Sequence, residues 1–99
     1  MDNQVNTNNN MFNYITDKHS QKMLVNGYNA VIKLGLVNFF TEIDPPKDKG
    51  YMFWEDDRIR KFGMELESDG HSGSSFAWVC RNLQLYFKDH DEHKRLYSQ

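Results

Sequence analysis

Several absences limit what this chain can be before any motif is read. Cysteine occurs once, at Cys80, so the chain can form no internal disulfide and suits a reducing compartment. No apolar run approaches the about 18 residues that a membrane span requires, and no charged-then-apolar leader opens the sequence. The expectation is a cytoplasmic protein without a membrane partner. An excess of positive charge is missing too: 12 Lys and Arg against 14 Asp and Glu leave a net charge of −2. A general binder of nucleic-acid polymers needs a basic face to displace counterions from phosphate, so that class is set aside. Internal repeats, clear strand patterns and any complete catalytic signature are also lacking.

What the chain does have is aromatic mass, 14% of its 99 residues. Aromatic side chains bury large areas, which helps a short chain reach stability, and they can stack on planar ligands. The first ten residues hold five Asn and almost nothing to bury. Residues 1–12 therefore read as a disordered Asn-rich arm and 13–99 as a single domain. A chain of this size often borrows surface from a second copy, so a homo-oligomer is expected.

Apolar spacing predicts an all-α, compact domain of about four helices. The first runs from about Asp17 to Leu34, capped by Thr16 or Asp17, with Leu24, Gly27, Tyr28, Val31 and Gly35 along one stripe. Gly27 costs about 1 kcal/mol against Ala inside a helix, which close packing of a second helix would offset. Gly35 suits a left-handed stop. A short second helix carries Leu36, Phe39, Phe40 and Ile43 and ends at Asp44-Pro45-Pro46. A polar loop, 45–50, leads to a short extended segment near 50–54. The third helix spans about Asp56 to Glu67 and buries Ile59, Phe62 and Leu66. The fourth begins near Ser74 and reaches towards Leu96, with Phe76, Cys80, Leu83 and Phe87 as its seam. Cys80 reads as a small core residue. His90 and His93, an i, i+3 pair among acidic neighbours, lack the second half of a metal site and read as a solvated helix end. No metal and no cofactor is expected.

The turn Gly70-His71-Ser72-Gly73-Ser74-Ser75 concentrates the chemistry. Two glycines open backbone conformations closed to other residues, three hydroxyls lie beside them, and a helix N-terminus with free amides follows. Such a combination suits phosphate. One serine would suffice for a cap. The expected ligand-binding residues are His71, Ser72, Gly73, Ser74, Ser75 and Arg81, with Arg58, Arg60 and Lys61 on the preceding helix as further cations. Tyr28, Phe53, Trp54 and Trp78 are the candidates to stack on a base, with core packing the default use of each. A serine nucleophile is disfavoured: Ser74 stands where a nucleophile elbow needs its second glycine, and the preceding segment is helical.

The stretch Gly70 to Phe76, followed by Arg81 and preceded by Gly50-Tyr51-Met52-Phe53, resembles small phage-encoded proteins that share a Gly-His-Ser-Gly-x-Ser-Phe motif. The resemblance covers most of the chain beyond the arm. It points to the anti-CBASS sponges, which sequester cyclic nucleotide signals without cleaving them. On that resemblance the chain is a non-enzymatic phage protein of the host cytosol, binding a small nucleotide ligand. Two alternatives stand beside it: a protein–protein inhibitor or accessory factor whose serine-rich turn is only a cap, and a small hydrolase using His71 and Ser72.

Overall fold

Helix boundaries follow local capping chemistry closely. In a computed structural model, which describes residues 11–42, 56–71 and 75–97, all five regular elements are helices. They are α1 (Lys18–Leu34), α2 (Val37–Glu42), α3 (Asp57–Ser68), α4 (Phe76–Lys88) and α5 (His90–Tyr97). Asp17 starts α1 by accepting from the Ser20 backbone N–H at 3.0 Å and from its hydroxyl at 2.6 Å. Asp56 does the same for α3, accepting from Arg58 N–H at 2.8 Å.

α1 packs against both α3 and α4, α2 closes over α4, and α5 lies on α4. The core is built on Leu24 and Val31 of α1, Phe40 of α2, Ile59 and Phe62 of α3, and Phe76, Val79, Cys80 and Leu83 of α4. Phe62 joins three helices, its ring 4.8 Å from that of Phe40 and 6.0 Å from that of Phe76. Gly27 is where α1 meets α4: an added Cβ would lie 2.8 Å from Leu83 Cδ1 and 3.0 Å from Val79 Cγ1. Helix packing is thus the reason for this glycine, as its position in the stripe predicts.

Two boundaries differ from expectation. The fourth helix does not run on to Leu96. It stops at Asp89, whose backbone leaves helical geometry (φ −154°, ψ 85°) and whose carboxylate accepts from Glu92 N–H at 3.1 Å to begin α5. An aspartate that can cap the next turn competes with continuing the present one. The folded part also reaches further back than residue 13. Phe12 is fully buried and packs on Tyr86 at 4.9 Å, while Gln21 Nε2 donates to the carbonyls of Phe12 and Ile15. Composition hid this single anchor among asparagines. The expected extended segment near 50–54 and the proline stop lie outside the described residues.

Candidate functional site

Two helices in this fold end the same way, and comparing them isolates His71. After α1, Gly35 takes φ 69°, its N–H reaches Ile32 O, and Leu36 N–H reaches back to Val31 O. After α3, Gly70 takes φ 93°, its N–H reaches Glu67 O at 2.9 Å, and His71 N–H reaches Leu66 O at 3.1 Å. This paired closure folds the residue after the glycine back onto the helix, a position where apolar contacts are usual. Leu36 fills it after α1 and is 4% exposed; His71 fills it after α3 and is 7% exposed. An imidazole therefore sits where the local geometry suits a leucine. Gly70 is accounted for by the helix stop alone.

The ring is held by α1. Asn26 Nδ2 donates to His71 Nε2 at 2.9 Å, which places the ring proton on Nδ1. Among the described residues, Nδ1 is buried and has no hydrogen-bond partner. The His19 ring lies 6.1 Å away at 65°. His19, Lys22 and Asn26 fall at i, i+3 and i+7 and so share one face of α1. Burial is the main reason that His71 is held below its ordinary pKa of 6.5; Asp69 opposes this, while His19 and Lys22 add to it. The result is an imidazole whose Nδ1–H has no partner among the described residues, with Lys22 and the Asp69 carboxylate acting on it in opposite senses; such an N–H can donate to an anionic oxygen. Among the described residues no serine, cysteine or carboxylate is hydrogen-bonded to the ring.

The cations come from α1 and not from the helix that sequence proximity suggested. Arg58 and Arg60 lie in the first turn of α3, at the opposite end from Gly70, where they pair with Asp56 and Asp57. Arg58 also covers the Phe39 ring at 4.1 Å. Lys61 borders a different hollow with Leu34 and Met64. Ser75 precedes α4 and its hydroxyl makes no capping bond to the helix. Trp78, half-buried, and Arg81, exposed, follow it at three-residue steps on neighbouring positions of α4. Ser72, Gly73, Ser74 and Trp54 lie outside the described residues.

Tyr28 is not brought to this site. It packs among Phe12, Tyr86 and Phe87, at ring distances of 6.4, 6.0 and 5.6 Å. Two positions separate it from Asn26 on α1, so the two residues face different ways.

A second polar centre was missed in the sequence. His93, read as part of a solvated helix end, is fully buried. Its Nε2–H donates to Asn82 Oδ1 at 3.0 Å and its Nδ1 accepts from the Tyr14 hydroxyl at 2.7 Å. Asn82 Oδ1 also accepts from the Tyr97 hydroxyl at 2.7 Å, while Asn82 Nδ2 donates to Trp78 O at 2.9 Å. Phe12 and Tyr86 meet the ring edge-on. Desolvation, with a smaller push from His90, holds this imidazole down at about 4. With both nitrogens engaged it is a closed structural element. The break at Asp89 turns His93 inwards, and its partner Tyr14 lies 79 positions away, so no local signal could have found it.

Among the described residues no group of three or more His, Cys, Asp or Glu side chains could hold a metal ion, and no helix is long and apolar enough to cross a membrane. A surface hollow of about 580 Å³ lies at Leu34, Leu36, Phe39 and Arg58, and His71, Ser75, Trp78 and Arg81 do not line it. Comparison of the chain with protein-family models, with curated proteins and with solved structures gave no match.

Proposed function

We propose that the chain binds a phosphate-bearing small molecule at the α3–α4 turn and sequesters it without cleaving it. A cyclic nucleotide signal is the ligand class suggested by the Gly70–Phe76 motif. The observation that carries this reading is His71: a buried Nδ1–H without a partner among the described residues, in a position otherwise suited to an apolar side chain. A buried donor left unpaired costs about 1–3 kcal/mol, which a ligand oxygen would recover. Lys22 favours an anion there against the opposing Asp69, and so does the start of α4, which Ser75 leaves uncapped by its side chain. Trp78 and Arg81 lie within two turns of that start and supply a ring face and a charge for a nucleotide. The biological role within this proposal is removal of a cyclic nucleotide alarm signal in the host of a phage.

The test is to incubate the purified full chain with cyclic mono-, di- and trinucleotides and then separate it by ultrafiltration. Heat-denaturing the protein fraction releases what it held for chromatography. An intact nucleotide retained by the wild type and lost by His71→Leu supports sequestration at this turn. A cleaved product makes the chain a hydrolase. Passage of every nucleotide into the filtrate refutes the cyclic nucleotide reading.

A further inference from the structure

We infer that His93 is a proton-operated latch: its neutral ring locks α5 onto α4, and taking up a proton releases α5 while α1 to α4 stay folded. The inference is independent of the proposed ligand and rests on how fully the proton positions around this ring are determined. Asn82 Nδ2 is committed to Trp78 O, so the amide oxygen must face His93 and Tyr97. Oδ1 can only accept, so Nε2 must carry the ring proton. Nδ1 must then accept from the Tyr14 hydroxyl. Every polar atom is satisfied in one protonation state. A second ring proton, on Nδ1, would meet the Tyr14 O–H where it now points, so this bond would have to reverse, with the hydroxyl turning to accept.

Among the described residues, nothing facing the ring offers a counter-charge. The titratable groups around it are Tyr14 of the N-terminal segment, Tyr86 of α4, and His90 and Tyr97 of α5. Phe12 adds an apolar edge. His90 opposes a second positive charge, and burial opposes it more strongly. Of the carboxylates nearest in the chain, Asp89 caps α5, Glu92 forks onto Arg95, and Asp91 is exposed on α5. The consequence is local because α5 is a short element of eight residues whose main helix partner is α4, and His93 is its buried side chain. The N-terminal segment keeps other anchors: Phe12 also packs on Tyr28 and Tyr86, and its carbonyl accepts from Gln21 of α1. Helices of this kind open at lower cost than the core.

The experiment is residue-resolved amide hydrogen exchange on the full chain, corrected for intrinsic rates, at pH 7.5 and pH 4.5. Protection in 93–97 is expected to fall at least tenfold more than protection in α1. Asn82→Asp gives up the bond to Trp78 O but places an anion against Nε2–H, and should make α5 protection fall less between pH 7.5 and 4.5 than in the wild type; His93→Gln should remove the pH dependence. Loss of protection in α1 and α5 together would overturn the latch, as would release unchanged by Asn82→Asp. Asn82→Asp retains the histidine and serves as the deciding variant if His93→Gln does not fold.

Discussion

Gly27 and Leu83 touch where α1 crosses α4, with only 2.8 Å between an added Cβ and Leu83 Cδ1. Leu83 is fully buried and Val79, at 3.0 Å, is stiff at χ1, so neither gives way freely. Gly27→Ala gains about 1 kcal/mol of helix propensity but incurs about 1–3 kcal/mol of overpacking. A net loss of about 1 kcal/mol is expected in urea titrations. In a Leu83→Ala background only the Val79 contact at 3.0 Å stays tight, and the same change should cost clearly less. Two losses of equal size would show that Leu83 is not the obstacle.

The position of His71 implies a conflict between stability and function. His71→Leu places an apolar side chain where Leu36 already stands in the matching turn, and removes the unpaired Nδ1–H. The half-buried Asn26 amide can turn to water. The variant should be about 1 kcal/mol more stable, by the removal of one buried unsatisfied donor. It should also lose any phosphate ligand. A destabilised variant would mean that the ring is serving the fold.

Stability should depend on pH in a window set by the histidines. His93 sits at about 4 in the folded protein against 6.5 when free, and burial also lowers His71. Between those values the unfolded chain binds more protons than the folded one. Stability is then full above pH 6.5, falls as the pH drops towards 4, and loses nothing more from His93 below that. For this fully buried group the loss is about 3 kcal/mol at most, from 1.36 kcal/mol per pKa unit. Asp17, Asp56 and Glu92, lowered by hydrogen bonds to Ser20, Arg58 and Arg95, act in the more acidic carboxylate range. Urea midpoints from pH 7.5 to 4 for wild type and His93→Gln should diverge in slope.

Asp89 separates α4 from α5. Replacing it with Ala removes the capping bond to Glu92 N–H and should cost about 1 kcal/mol. Because Ala favours helix, the joint should also straighten, pulling His93 away from Asn82. A larger loss in Asp89→Ala than in Asp89→Ser, with histidine chemical shifts reporting the ring's environment, is the expected pattern.

Where α1 and α3 begin, and where α1 ends, was legible because the signals are local; the break at Asp89 was not. Asp17 and Asp56 cap the residues immediately after them, and Gly35 stops a helix that would otherwise run into α2. The crowding at Gly27 was legible too, because a glycine in an apolar helical stripe needs a close neighbour. The candidate site was legible in one residue, His71, through its place after a glycine at a helix end. Its α1 partners were not, since His19, Lys22 and Asn26 look like an ordinary solvated face until α3 turns onto them.

The sequence by itself determined the all-α class, the α1 and α3 helices and most of the core stripe, since periodicity and capping act over a few residues. The tertiary structure alone decided which polar groups go inside. Asn26 meets His71 across 45 positions, and Tyr14 meets His93 across 79. Burying an imidazole is tolerable only when a partner arrives to satisfy it, and that partner is supplied by the path of the whole chain.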